Sequence, residues 1–74
     1  MTEIIINQLS TIRLKHKITQ EELAKAVGVT RQTIIAMEKG NYTPSVLLAL
    51  KLAAFFKLPV EKIFYLNQDK KAKL

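Results

Sequence analysis

Apolar residues recur along this chain at helical rather than strand spacing, and breaks in the rhythm divide it into short segments. Leu9 and Ile12 lie one turn apart with His16 a further turn on, which predicts a first helix from about Asn7 to Lys17. Leu23, Ala24 and Val27 keep that spacing over residues 20–27, and Ile34 and Met37 over residues 31–38. Gly40, Asn41 and Pro44 then punctuate a loop. Ser45 offers a cap for a fourth helix running to about Phe56, in which every position from Val46 onward is apolar except Lys51. Leu58 and Pro59 break the chain before a short last helix, roughly Val60 to Phe64. The ends follow a different rule. Ile4, Ile5 and Ile6 are consecutive β-branched residues, better suited to a strand than to a helix, and Phe64, Tyr65 and Leu66 raise the same question. These ends either pair as a short antiparallel ribbon or extend the flanking helices.

Function is concentrated between Thr19 and Gly40. Thr19 supplies a hydroxyl cap, and Glu22 three residues later completes a capping box. Gly28 is a natural stop, because a left-handed residue there turns the chain at little steric cost. Ala24 is small where the two helices must approach most closely. Thr30 can cap the second helix, whose Ile34 and Met37 point inward and leave Arg31, Gln32, Ile35, Ala36 and Lys39 as one outward stripe. A helix-turn-helix of this kind presents its second helix to the major groove of DNA.

The segments TQEELAKAVGV, RQTI and MEKG resemble the lambda-repressor-like, or Xre-type, helix-turn-helix regulators of bacteria and phages. The resemblance continues through PSVLLALKLAAFF to EKIFYL and covers nearly all of residues 4 to 66. INQLSTIRLKHKIT and YTPSVLLALKLA look most like the small dimeric cytolysin-repressor type within that family. The resemblance implies a mainly α, five-helix DNA-binding domain, with the terminal segments paired as a two-stranded antiparallel ribbon. It places Gln20 at the family's phosphate-binding position, where backbone N–H groups and the helix dipole add to the side chain. It also implies a structural ion pair between Arg13 of the first helix and Glu38 at the end of the recognition helix. Ile35 and Ala36 depart from the family, whose members commonly carry polar or charged residues there.

Composition narrows the choice of function. The 74 residues allow one compact domain with a modest core, expected over residues 1–66 and followed by a basic tail, 67–74. The formal charge of +6 has the sign of a nucleic-acid binder, and about two thirds of it remains when Asp69, Lys70, Lys71 and Lys73 are set aside. There is no cysteine, which removes disulfides and thiolate metal sites and suits a reducing cytoplasm. The opening MTEIIINQ has no basic n-region, and no segment reaches the roughly 20 apolar residues of a membrane span. Catalysis finds no foothold: His16 stands alone, Glu21 and Glu22 face different directions on a helix, and two glycines make no phosphate loop. No cofactor, metal or small-molecule ligand is expected.

Roles for the contact residues follow from their chemistry. Arg31 can donate two hydrogen bonds to guanine O6 and N7, Gln32 can pair with the edge of adenine, and Ile35 and Ala36 can meet a thymine methyl group. Packing within the domain or against a partner is the alternative for Ile35. Thr30, Lys39, Asn41, Tyr42 and Thr43 flank the groove, where contacts go to the DNA backbone. Self-association is expected from the C-terminal third, where Phe56, Leu58, Val60, Ile63 and Phe64 would form an apolar patch on a monomer. The other account wraps the fourth helix entirely in its own domain. The expectation is a homodimeric regulator, in the mode of a repressor, on double-stranded operator DNA. An antitoxin-type protein with a second protein partner, or an interaction module without specific DNA binding, are the competing classes.

Overall fold

The computed structural model describes residues 4–67. Strand β1 (Ile5–Asn7) leads into helices α1 (Leu9–Lys15), α2 (Gln20–Val27), α3 (Arg31–Glu38) and α4 (Val46–Phe56). A 3-10 turn (Val60–Lys62) and strand β2 (Phe64–Leu66) complete it. Among the described residues the fold is mainly helical, with four α-helices. The expected fifth is a single 3-10 turn, because Pro59 precedes it in extended conformation and the chain is already in β2 at Phe64.

The β-branched ends pair. Ile5 lies opposite Leu66, Ile6 opposite Tyr65 and Asn7 opposite Phe64 in an antiparallel ribbon. The Gln8 N–H donates to the Ile63 carbonyl at 2.9 Å and the Asn67 N–H to the Ile4 carbonyl at 2.9 Å, continuing the pairing at both ends. Ribbon formation shortens the first helix relative to the expected Asn7–Lys17, since Asn7 is drawn into β1.

The motif helices have the expected bounds, and their ends are locally determined. The Thr19 hydroxyl accepts from the Glu22 N–H at 3.0 Å while the Glu22 carboxylate accepts from the Thr19 N–H at 2.8 Å, a complete capping box. Gly28 is left-handed, with φ +79°, and the following Val29 N–H returns to the Ala24 carbonyl at 3.0 Å. α3 closes likewise through Gly40, with the Gly40 N–H on Met37 and the Asn41 N–H on Ala36.

All four helices contribute to one core of Leu9, Leu23, Ala24, Val27, Ile34, Met37, Leu48, Leu52, Ala53 and Phe56, joined by Ile63. Ile12, Ile18, Val29, Leu58, Val60 and Phe64 pack around it half-buried. Ile34 and Met37 thus root α3 from below, each worth about 1.5 to 3 kcal/mol of burial. No helix among the described residues is long and apolar enough to cross a membrane.

Candidate nucleic-acid interface

The outward face of α3 begins at its cap. Thr30 accepts from the Thr33 N–H at 3.2 Å, and its hydroxyl lies 3.1 Å from that of Thr33, so this side chain is occupied in starting the helix. Arg31 and Gln32 follow in the first turn, both exposed, and among the described residues Arg31 forms no ion pair. Ile35 and Ala36 are half-buried on the same helix, and Lys39 is its exposed C-cap.

The far end of α3 is held by charge. Arg13 donates from Nε to Glu38 Oε2 at 2.7 Å and from a terminal nitrogen to Oε1 at 3.2 Å, a two-pronged pair whose side chains are only 11% and 8% exposed. Its remaining nitrogen donates to the Ile18 carbonyl at 2.9 Å, tying the α1–α2 turn into the same arrangement. A carboxylate in the last turn of a helix opposes the helix dipole, and the guanidinium offsets it. Gln20 donates from Nε2 to Glu38 Oε1 at 3.0 Å. An amide nitrogen carries two hydrogens, so this bond orients Gln20 while using only one of them.

Around this helix the structure gathers two sets of residues. Thr19, Gln20 and Arg31 line one open depression with Arg13, Glu21 and Lys17. Lys17, exposed with φ +56° at the end of α1, is a cation that the sequence reading left unassigned; position along a helix carried no signal for it. On the other side Lys39, Tyr42 and Thr43 share a cleft with Gly40, Pro44 and the ribbon residues Ile4, Ile5, Asn7 and Phe64. Asn41 is exposed beside them, its backbone engaged in closing α3. Among the described residues no cluster of His, Cys, Asp or Glu has the make-up of a metal site.

The residues expected to form a self-association patch differ in their exposure. Phe56 and Ile63 are 4% and 0% exposed and belong to the core, so they offer no surface to a second chain. Phe56 faces inward on α4, with the His16 ring against it at 4.9 Å. Leu58, Val60 and Phe64 are half-buried. Apolar surface is open instead on the outer arc of α4, where Val46, Leu47 and Leu50 are 76%, 64% and 54% exposed and Phe55 is also exposed. The sequence showed that α4 was apolar nearly all round, but not which arc its own domain would cover.

Two short capped helices joined through the left-handed Gly28, the second rooted by Ile34 and Met37 and exposing Arg31 and Gln32 at its start, form a helix-turn-helix. The family model described as helix-turn-helix matches residues 9–63, and the chain belongs to this Xre/Cro-type family of transcriptional regulators. An uncharacterized HTH-type transcriptional regulator of Methanocaldococcus jannaschii is 54% identical over 63 residues, 85% of this chain and 96% of that protein. The regulator YgzD of Bacillus subtilis is 44% identical over the same shares of the two chains. The cryptic phage CTXphi transcriptional repressor RstR of Vibrio cholerae is 32% identical over 77% of this chain and 51% of its own length. The relatives are regulators rather than enzymes, and they come from archaea as well as bacteria, a wider range than the bacterial setting expected.

Proposed function

We propose that the chain is a transcriptional repressor that binds a pseudo-palindromic operator as a homodimer, with α3 of each protomer in the major groove. The observation that carries this reading is the division of α3 into two faces. Ile34, Met37 and the Glu38 carboxylate are fixed inside the domain, whereas Arg31 and Gln32 stand exposed at the start of the same helix. Arg31 reads guanine and Gln32 adenine, and Ile35 and Ala36 lie against a thymine methyl. Gln20, Thr30, Lys39, Asn41, Tyr42 and Thr43, joined by Lys17, contact the DNA backbone and set the register. Occupancy of a promoter by such a dimer is enough to exclude polymerase. The relationship to a protein named as a transcriptional repressor supports that sign of regulation. The dimer uses Leu58, Val60 and Phe64 together with the outer arc of α4.

Selection of bound sites from random DNA, followed by binding measurements on Arg31→Ala and Gln32→Ala, tests the proposal. Each variant loses roughly 1 to 3 kcal/mol on the selected site and relaxes preference at one base position per half-site. Affinity of the parent protein falls steeply with salt as phosphate contacts release counterions. If both variants keep the parent's sequence preference, the base-reading assignment is wrong.

A further inference from the structure

Asn7 has its backbone in one element and its side chain in two others. It ends β1 opposite Phe64. Its Oδ1 accepts from the Leu9 N–H at 3.0 Å, satisfying a free donor at the start of α1, where Gln8 makes no side-chain cap bond. Its Nδ2 donates to the Met37 carbonyl at 2.9 Å, thirty residues away at the end of α3. That carbonyl also accepts the Gly40 N–H at 3.0 Å, so it is a fixed point in the closure of the recognition helix.

The two halves of the amide have separable duties. Capping α1 needs only an acceptor, which aspartate or serine supplies. The bond to Met37 needs a donor at amide reach: a carboxylate has none, and a serine hydroxyl on its shorter side chain falls short. We infer that Asn7 is a positioning residue for DNA reading, holding the C-terminal end of α3 through Met37 without itself contacting a base. Glu38 is held by Arg13 and Gln20, and Asn7 holds the adjacent residue. Added to the buried Ile34 and Met37, two polar anchors on neighbouring residues restrict how far the C-terminal end of the helix can shift or turn. α3 has eight residues, about 12 Å of helix. A lateral slip of about 1 Å at the Met37 end tilts it by about 5°, which at the Arg31 end moves a side-chain tip about 6 Å from the axis by about 0.5 Å, the displacement that forks reading base edges tolerate. The inference rests on α3 being the reading helix.

Asn7→Ser and Asn7→Asp test it, since both keep the cap and lose the donor. In the free protein, amide hydrogen exchange at Gly40 and Asn41 is expected to quicken about 3- to 10-fold in both variants, the change that loss of one net hydrogen bond gives. Exchange at Leu23 and Leu52, which proceeds through global unfolding, quickens by no more than the same factor; quickening confined to these two would report general destabilisation and not a loosened end of α3. With DNA, the ratio of affinity for the selected site to affinity for random duplex of equal length falls by a similar factor. That ratio absorbs the added charge of Asn7→Asp, and agreement with the neutral Asn7→Ser is required. Unchanged exchange at Gly40 and Asn41 overturns the inference whatever the DNA result. So does quickened exchange with an unchanged ratio. A parent protein with no preferred site overturns the DNA-reading proposal itself, an outcome told apart because the exchange measurement contains no DNA.

Discussion

Lys57 and Lys17 occupy backbone conformations that glycine ordinarily fills. They have φ of +58° and +56°, alongside Gly28 at +79° and Gly40 at +84°, so each α-helix is followed by a left-handed residue. After Lys57 the Leu58 N–H returns to the Ala53 carbonyl at 3.0 Å, the same closure that follows Gly28. A side chain in that region costs about 1 to 2 kcal/mol, part of which glycine gives back through its larger entropy loss on folding. Lys57→Gly is therefore expected to raise stability by about 0.5 to 1 kcal/mol, seen as a higher urea midpoint with an unchanged slope. Gly28→Ala provides the reverse case. A Cβ there would meet only Lys51 Nζ, at 4.0 Å, so a fall in midpoint reports the backbone and not a clash. A lower midpoint for Lys57→Gly would mean that the left-handed lysine is not strained. The asymmetry also marks a limit of the sequence. Gly28 and Gly40 announced their helix ends because glycine favours that conformation, while lysine has no such preference: the end of α4 was legible only from Leu58 and Pro59, and that of α1 was placed at Lys17, two residues late.

Among the elements, α3 is the one whose placement decides function, and its most exposed dependence is on the ion pair. Removing Arg13 leaves Glu38, a nearly buried carboxylate at the unfavourable end of a helix, with Gln20 as its remaining side-chain donor. Arg13→Met should lower stability by about 3 kcal/mol, and Glu38→Gln by less, because its amide still accepts from Arg13. The double variant Arg13→Met, Glu38→Met should recover much of the loss, since no charge is then stranded. Urea unfolding of the parent, Arg13→Met, Glu38→Met and the double variant measures the coupling, and additive effects would mean the pair contributes no mutual stabilisation. The bounds of α2 and α3 were legible because Thr19, Glu22, Gly28 and Thr30 act within a few residues of the ends they set. α1 and the last turn were misjudged for the opposite reason. Their limits come from the ribbon, in which Asn7 meets Phe64 and Gln8 meets Ile63, contacts that helical periodicity does not encode. The stripe of Arg31, Gln32, Ile35, Ala36 and Lys39 needed only period and caps to be found, whereas Asn7 and Lys17 came to light through contacts made across the fold.

In the molecule as a whole, the outer arc of α4 carries a group of exposed large apolar side chains on one helix. Leu48, Leu52 and Phe56 take the inner arc, and Val46, Leu47, Leu50 and Phe55 remain open around Lys51. In the proposed dimer a second copy covers these large apolar side chains, the role that a contiguous exposed apolar patch suits. Because Leu50 is already 54% exposed, Leu50→Glu should alter folding stability little while placing a carboxylate at the proposed contact. Sedimentation equilibrium should then find the variant monomeric at concentrations where the parent is a dimer. Val60→Glu, on the half-buried 3-10 turn, tests the other part of the surface and reveals which part dominates. The DNA consequence is geometric. Two recognition helices related by a two-fold axis read half-sites about 34 Å apart, one turn of the duplex, so both lie on the same face. Inserting five base pairs between the half-sites turns one of them to the far side. Parent binding should then fall to the level of a single half-site, while Leu50→Glu, already binding one half-site at a time, should be insensitive to the insertion. A parent indifferent to the spacing would show that the protomers bind independently and that the arc of α4 serves some other contact.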